Sequence, residues 1–171
     1  LNLGHTKITD SELKYLKYFP NLSRLYLWNT KITDCGLKNL KYTKNLQDLS
    51  LMHTEITDIG LKYLTHLANL NSLNLYSTKI SNSGLKYLKN CKNLSCLYLD
   101  GQKISDIGLQ YLADHNLTEI YLYKTNISDS GIEYLINCKN LQFIDLRYTN
   151  VSPLGIKKII KKFPEITVLH N

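Results

Sequence analysis

Short alternating runs of apolar and polar residues recur along the chain. Leucine or isoleucine occupies both outer positions of each run, as in Leu25-Tyr26-Leu27, and this period of two is typical of a strand with one buried face. The runs lie at residues 1–3, 25–27, 49–51, 73–75, 97–99, 120–122 and 144–146, with a last partial copy at Leu169. Successive runs are 23 to 25 residues apart, so the pattern predicts one short strand in each repeat.

A helical pattern follows each predicted strand. Leucines three residues apart, such as Leu37 and Leu40, place an apolar stripe on one face of a helix. Strands joined by crossovers of this length pair in parallel, and such crossovers are right-handed. Because one repeat cannot bury its own apolar face, neighbouring repeats must stack. The sequence therefore predicts an α/β fold: a right-handed solenoid with a parallel β-sheet on its concave face and helices on its convex face.

Three further residue types recur at fixed places in the repeat, and we assign structural roles to all of them. The residue before each helix is predicted to be its N-cap; these residues are Asp10, Asp34, Asp58, Asn82, Asp106 and Asp129. A glycine in the first helical turn, as at Gly60, is predicted to let adjacent repeats approach closely. A threonine after each strand, as at Thr30, is predicted to bond backbone groups where the chain turns.

The complete unit, Leu-x-x-Leu-x-Leu-x-x-Thr-x-Ile-Thr-Asp-x-Gly-Leu-Lys-Tyr-Leu, resembles the leucine-rich repeat family over essentially the whole chain. With Cys91 and Cys138, each followed by Lys-Asn-Leu, it resembles the cysteine-containing subclass known from F-box substrate receptors of ubiquitin ligases. It is also similar to repeat arrays of bacterial proteins, including effectors that act inside host cells. We expect residues 1–171 to form a single leucine-rich-repeat domain, a fragment of a longer protein.

The chain has a net charge of +7, from 21 basic and 14 acidic residues, which raises the question of an anionic partner. Fourteen of the basic residues lie in or just after the predicted helices, whereas only Arg24 and Arg147 lie on strands. The predicted concave face is thus near neutral or slightly acidic, which disfavours nucleic acid, since phosphates need a basic groove. No apolar run approaches the roughly 18 residues of a membrane span, so no membrane association is expected.

The concave side chains alternate with the buried leucines, and their types do not repeat. Folding therefore imposes little on them, yet they are rich in Trp, Tyr, Phe and Arg, which are typical of protein interfaces. The high strand propensity of aromatic residues is an alternative explanation. We predict that a protein or peptide partner binds here, through Arg24, Tyr26, Trp28, Asp48, Met52, Tyr76, Tyr98, Asp100, Glu119, Tyr121, Tyr123, Phe143, Asp145 and Arg147.

The sequence contains no familiar catalytic pattern. A nucleophile elbow, a zinc-protease helix, a phosphate-binding loop and a Cys-x-x-Cys pair are all missing from it. His5 and His53 lie two repeats apart, roughly 10 Å in a sheet, which is too far to share one metal ion. We therefore expect no enzyme activity, metal or other cofactor.

The four cysteines offer no disulfide scheme, because Cys91 and Cys138 occupy equivalent positions two repeats apart. This predicts a reducing compartment, either the cytoplasm or, for a bacterial effector, the host cytosol. Five Asn-x-Ser/Thr triplets are formal glycosylation acceptors and would indicate secretion, but they follow from the repeat itself.

These features predict a non-enzymatic scaffold that binds a protein on its concave face. The alternative is the substrate-recognition part of a ubiquitin ligase or bacterial effector whose catalytic or adaptor domain lies outside this chain. We also expect the irregular step Asp100-Gly101-Gln102 and the short repeat around His115 to change the stacking locally.

Overall fold

The structure is a computed structural model that describes residues 1–101 and 103–171. Its strands are β1 (Arg24–Tyr26), β2 (Asp48–Ser50), β3 (Ser72–Asn74), β4 (Cys96–Tyr98), β5 (Glu119–Tyr121), β6 (Phe143–Asp145) and β7 (Thr167–Leu169). They form one parallel sheet in chain order. Leu25 pairs with Leu49, and Leu49 with Leu73, so equivalent positions of successive repeats form straight columns across the sheet.

The first alternating run extends the sheet without forming a full strand. Asn2 makes an isolated parallel bridge to Tyr26. The backbone N–H of Leu3 donates to the Tyr26 carbonyl at 2.9 Å, and the Tyr26 N–H donates to the Leu1 carbonyl at 3.1 Å. Residues 1–3 therefore continue the columns of β1.

The convex helices are shorter than the leucine spacing suggests. The α-helices are α1 (Asp34–Leu37), α2 (Asp58–Leu61), α3 (Asn82–Leu85), α4 (Asp106–Leu109), α5 (Asp129–Leu135) and α6 (Pro153–Lys162). The first four continue directly as 3-10 helices, at Lys38–Tyr42, Lys62–Leu64, Lys86–Asn90 and Gln110–Leu112. The first repeat has only a 3-10 helix, Glu12–Tyr18. Leucines three residues apart fit either helix type, so their spacing does not distinguish the two.

Each repeat leaves its strand through a left-handed turn, and a threonine closes that turn. The residues with positive φ are His5, Asn29, His53, Ser77, Gly101, Lys124 and Tyr148. In the second repeat the Thr30 hydroxyl donates to the Leu27 carbonyl at 2.6 Å, and equivalent bonds recur from Thr6 to Thr149. The predicted structural role of the threonine column is confirmed.

A continuous layer of leucine and isoleucine fills the space between the sheet and the helices. Leu25, Leu49 and Leu73 of the strands and Leu37 and Leu61 of the helices are at most 2% exposed. Complete burial of such a side chain contributes about 1.5–3 kcal/mol. Stability therefore comes mainly from stacking, as expected when no repeat has a core of its own.

The prediction that the aspartate column caps its own helices was wrong. The N-cap of α2 is Thr57, whose hydroxyl accepts from the Ile59 N–H at 3.2 Å. The Asp34 carboxylate, from the preceding repeat, accepts from the Thr57 N–H at 2.8 Å and from its hydroxyl at 2.6 Å. The sequence could not separate the two roles, because one aspartate lies equally near its own helix and the next turn. This contact recurs along the array and ties each repeat to its neighbour.

The glycine column fits beneath these carboxylates. A Cβ atom added to Gly60 would lie 2.4 Å from Oδ1 of Asp34, and one added to Gly84 would lie 2.4 Å from Oδ1 of Asp58. Real Cβ atoms do not approach so closely, so the predicted close contact of adjacent repeats is confirmed.

A second ladder crosses the repeats on the helical side. Nε2 of His66 lies 3.1 Å from the Leu40 carbonyl, and the Cys91 thiol donates to the Leu64 carbonyl at 3.6 Å. His115 and Cys138 continue the series, at 3.0 Å from Leu88 O and 3.8 Å from Leu112 O respectively. Cys91, His115 and Cys138 thus have the same structural role at equivalent places, and His66 makes a similar contact from one residue earlier in its repeat.

The short repeat leaves the strand pairing intact. Leu97 of β4 lies beside Ile120 of β5, in the register of the other repeats. The Gly101 N–H donates to the Tyr123 carbonyl at 2.7 Å. Gln102, in the step where a change of stacking was expected, lies outside the described residues.

Candidate functional site

The concave face carries three parallel columns of side chains that alternate with the buried leucines. Arg24, Asp48 and Ser72 begin the first column, which the register of the sheet continues through Cys96, Glu119 and Phe143. Tyr26, Ser50, Asn74, Tyr98, Tyr121 and Asp145 form the second. Trp28, Met52, Tyr76, Asp100, Tyr123 and Arg147 follow two residues later and form the third. All fourteen predicted site residues lie on this face.

Aromatic rings stack across neighbouring strands at the centre of the face. The rings of Tyr98 and Tyr121 are 4.1 Å apart and nearly parallel, with an angle of 12° between their planes. The Phe143 ring continues the row, 4.9 Å from Tyr121. Aromatic pairs at such distances are favourable beyond the area they bury. Strands β4 to β6 therefore present a continuous aromatic row.

Polar groups support this row from the first column. The Tyr121 hydroxyl donates to Oε2 of Glu119 at 3.1 Å, and the Cys96 thiol lies 3.6 Å from the same oxygen. Burial raises the pKa of the Cys96 thiol to about 11, and the Glu119 charge adds to this. Burial also raises the pKa of Tyr98 above its ordinary value. Both groups are therefore neutral at physiological pH, and Cys96 is not an activated nucleophile.

One hollow of the face lies beside the only tryptophan, and we call it the Trp28 hollow. It has a volume of about 360 Å³, with walls formed by Tyr26, Trp28 and Tyr98 and a floor that includes Ser50, Ser72 and Asn74. The His5 ring lies 5.7 Å from Trp28. Gly4 lies against the indole, since a Cβ atom there would be 2.2 Å from it. The hollow exists because small side chains lie between large rings.

A second hollow, the Asp100 hollow, lies on the other side of Tyr98. Its volume is about 390 Å³; Tyr76, Tyr98, Tyr121 and Tyr123 supply aromatic walls, and Asp100, Asp145 and Arg147 supply charges. Asp145 is only 3% exposed and binds Arg147 through both carboxylate oxygens, at 2.9 and 2.6 Å. Asp100 accepts from the Tyr123 N–H at 2.9 Å. Burial raises the pKa of Asp100, and the neighbouring Asp145 raises it further.

Of the remaining predicted residues, Asp48 also borders the Trp28 hollow, whereas the others lie outside both hollows. Nε of Arg24 lies 3.1 Å from Asp48, and both line a polar depression of about 460 Å³ at one edge of the face. Met52 lies in the third column, half-buried. Glu119 and Phe143 both contact Tyr121, which belongs to the second column. The structure thus gathers most, but not all, of the predicted residues around Tyr98.

The left-handed turns add side chains to the face that the sequence interpretation did not include in the site. The His53 ring meets the edge of Tyr76 at 5.0 Å, and the Tyr148 ring meets Tyr123 at 5.3 Å. Lys124 lies 5.2 Å from the Tyr123 ring centre. Each of these residues directly follows a residue of the third column. This position in the repeat is the sequence feature that could have identified them.

The concave face carries the opposite charge to the molecule as a whole. Its columns contain two arginines against four carboxylates, whereas the whole chain carries +7. On the convex side, lysines lie over tyrosine rings, as Lys62 and Lys86 do at 5.7 and 5.1 Å from the Tyr87 ring centre. The tyrosine column of the helices therefore belongs to the scaffold and its solvated surface.

Within residues 1–101 and 103–171, no three histidine, cysteine or acidic side chains lie together where they could hold a metal ion. None of the helices formed by these residues has the length and apolar character needed to cross a membrane.

The fold and the repeated sequence together indicate a leucine-rich-repeat solenoid. A family model described as leucine rich repeat matches residues 20–80. The chain has the α/β solenoid fold of leucine-rich-repeat proteins, with the sheet on the concave side and the helices on the convex side. A comparison with curated protein sequences finds no match.

Three solved structures that share this fold come from two bacteria. Internalin C2 of Listeria monocytogenes aligns with all of this chain and 80% of its own, with 24% identity and a TM-score of 0.75. A second internalin, InlF of the same species, aligns with 97% of this chain at 18% identity and a TM-score of 0.69. An LRR protein of Leptospira interrogans aligns with 98% at 27% identity and a TM-score of 0.72. The present chain spans 52% and 42% of the last two.

Proposed function

We propose that this chain is a non-enzymatic scaffold whose concave face binds a protein or peptide. The observation that carries the proposal is the contrast between columns. Positions that serve folding repeat in type from repeat to repeat, whereas the concave columns do not and instead gather a tryptophan, a stacked aromatic row and paired charges. Buried aromatic and arginine residues are the usual energetic centres of protein interfaces.

The two hollows support this proposal further. They flank Tyr98 and together extend from Trp28 to Arg147, so an extended segment lying across the strands would fill both. Because the rings are already stacked, binding would cost little side-chain ordering. The leucine-rich-repeat fold is commonly a protein-binding scaffold, which agrees with this assignment.

The same proposal covers the cellular compartment and the kind of protein to which this domain belongs. The four cysteines are free, and Cys91 and Cys138 are buried, which favours a reducing environment such as the cytoplasm. We treat residues 1–171 as a single leucine-rich-repeat domain. Recognition within a ubiquitin ligase or a bacterial effector would use the same concave face and differ only in the domains attached to it.

The test is a peptide selection followed by matched aromatic substitutions. Peptides are selected from a random displayed library on the immobilised protein, and their affinities are measured by calorimetry. We expect the triple variant Trp28→Ala, Tyr98→Ala, Tyr121→Ala to weaken selected peptides at least about a hundredfold, since each such residue typically contributes over 1 kcal/mol.

The control variant replaces three exposed convex tyrosines, Tyr15, Tyr18 and Tyr42, by alanine. It removes the same kind of side chain from the opposite face, and we expect unchanged affinity. Circular dichroism and thermal melting establish that both variants are folded. Equal affinities of the wild type and the concave variant, or loss of binding in the convex variant alone, would overturn the proposal.

A further inference from the structure

The second column of the concave face loses its aromatic rings at the Trp28 hollow. Tyr26 on β1 and Tyr98 on β4 both belong to this column. Ser50 and Asn74 occupy the two places between them. Since neighbouring strands lie about 4.8 Å apart, β1 and β4 are separated by about 14 Å. Two short side chains therefore leave a gap between two rings.

The ring of Tyr98 shows how an aromatic side chain lies in this column. It stacks on Tyr121, with 4.1 Å between the ring centres and 12° between the planes. Tyr98 also lines the Trp28 hollow, whose other lining residues belong to the repeats of β1, β2 and β3, on the side away from Tyr121. A further ring at a similar spacing from Tyr98 therefore fits into the gap.

The Trp28 hollow favours an uncharged occupant. Among the described residues that line it, Asp48 alone is charged, and Nε of Arg24 pairs with this carboxylate at 3.1 Å. A cation or an anion placed in the hollow would lose hydration without meeting an uncompensated opposite charge. Charged side chains of a partner are therefore disfavoured here.

The floor of the hollow offers two hydrogen-bonding groups side by side. Oδ1 of Asn74 accepts from the Tyr76 N–H at 2.9 Å, so the fold uses this oxygen and leaves Nδ2 as a donor. The Ser50 hydroxyl makes no hydrogen bond to another residue that the structure describes. Ser50 and Asn74 are register partners on β2 and β3, about 4.8 Å apart, so one oxygen atom between them can bond both.

The chemistry of these two groups selects the occupant. An aliphatic side chain or a phenylalanine ring would cover them without giving them a partner, which is unfavourable. An indole N–H only donates, so it cannot accept from Asn74. The phenol of a tyrosine carries one oxygen at the end of its ring, which can accept from Nδ2 of Asn74 and donate to Oγ of Ser50.

We propose that the Trp28 hollow receives a tyrosine side chain of the partner. Its ring stacks on Tyr98 beside the Trp28 indole, and its hydroxyl bonds Ser50 and Asn74. The proposal rests on the proposed function of the concave face and names the side chain that anchors its ligand. An aromatic anchor in a preformed hollow is typical of the energetic centre of a protein interface.

The probes for this proposal are three blocked amino acids: N-acetyl-tyrosine methylamide, its phenylalanine analogue and its leucine analogue. They are titrated into ¹⁵N-labelled protein and followed by NMR. Because Trp28 is the only tryptophan, its indole N–H gives a single signal that reports on the hollow. We expect the tyrosine probe to shift this signal and to bind about tenfold more tightly than the phenylalanine probe, which corresponds to about 1.4 kcal/mol.

Two substitutions of Ser50 separate the hydrogen bond from the space. Ser50→Ala removes one partner of the phenol and should reduce the preference for tyrosine over phenylalanine from about tenfold to about threefold. Ser50→Tyr supplies a ring from the chain itself, at a place in the column where Tyr26 and Tyr98 already carry one. This variant should no longer bind the tyrosine probe, because its own ring fills the gap.

The matched controls are Ser83→Ala and Ser83→Tyr, on α3 of the convex face. Ser83 is exposed, so the same atoms are removed or added away from the hollow. Both control variants should bind the three probes as the wild type does. Unchanged amide signals outside the hollow establish that each variant is folded.

Two results with the wild type would overturn this proposal: a phenylalanine or leucine probe that binds as tightly as the tyrosine probe, or a tyrosine probe that leaves the Trp28 indole signal unmoved. Neither result depends on a variant folding. The proposed function would still stand if selected peptides kept their dependence on Trp28, Tyr98 and Tyr121. It would fail separately if that dependence were absent.

Discussion

Single side chains that reach from one repeat into the next set the spacing of the array. Asp58 accepts from the Ser81 N–H at 2.8 Å and from the Ser81 hydroxyl at 2.6 Å, and Gly84 leaves room for the carboxylate. In one repeat an asparagine replaces the acid: Asn82 accepts from the Ser105 N–H at 2.9 Å, and its amide lies 2.8 Å from the Ser105 hydroxyl. The contact thus requires hydrogen-bonding geometry more than negative charge.

Two substitutions of Asp58 should therefore lower the free energy of unfolding by different amounts. Asp58→Ala removes both acceptors from a half-buried backbone N–H and hydroxyl, and should destabilise the protein by about 1.5–3 kcal/mol. Asp58→Asn retains an acceptor and a donor, as Asn82 does naturally, and should cost less than about 1 kcal/mol. Urea unfolding measures both, with an unchanged dependence on denaturant required for the comparison. Equal costs of the two variants would contradict the proposed role.

At the scale of elements, much of the fold follows from the sequence. The period of two locates the strands, and the regular spacing of the runs requires parallel neighbours in chain order. The helix type was not predictable from the sequence. Leucines three residues apart, such as Leu37 and Leu40, fit both an α-helix and a 3-10 helix. The role of the aspartates was not predictable either, because spacing within one repeat does not show which repeat a side chain contacts.

The candidate site was predictable only in outline. The three columns follow from strand alternation, and they contain all the predicted residues. The hollows depend on three-dimensional detail: small side chains such as Ser50 and Ser72 lie between large rings, and Arg147 folds back onto Asp145. Neither feature is encoded in the repeat pattern, because these positions vary independently from one repeat to the next.

The contact of His115 with the Leu88 carbonyl, on the helical side, should make the free energy of unfolding depend on pH. His115 is 2% exposed, its Nε2 lies 3.0 Å from the Leu88 carbonyl, and its Nδ1 has no partner among the described residues. Burial, with a smaller effect of Lys92, lowers the pKa of His115 below 6.5, although the Leu88 carbonyl and Asp114 oppose this. The unfolded chain therefore binds a proton more readily than the folded protein does as pH falls through 6.5.

We accordingly expect stability to decrease from pH 7 to pH 5 more in the wild type than in His115→Cys. Cysteine is the natural residue at the equivalent positions Cys91 and Cys138, where its thiol bonds the same kind of carbonyl and stays neutral. The other histidines are common to both proteins, so the difference in slope isolates His115. Urea unfolding at pH 5, 6 and 7 gives the measurement. Parallel pH profiles would show that His115 makes no such contribution.

At the scale of the whole molecule, the two faces have separate tasks. The helical face carries most of the +7 charge on lysines, while the sheet face carries aromatic rings and a small negative excess. A concave sheet of this kind, with strands about 4.8 Å apart, offers a surface on the order of 30 Å wide. This width suits an extended peptide or the surface of a folded protein.

The most direct test of the central claim uses the protein without any substitution. Trp28 is the only tryptophan and lies in the concave face, so its fluorescence reports on that face alone. Titration with a selected peptide that lacks tryptophan should shift the Trp28 emission to shorter wavelength, because water is displaced from the ring. The midpoint should match the affinity from calorimetry. Saturable binding by calorimetry with no change in Trp28 emission would contradict the account.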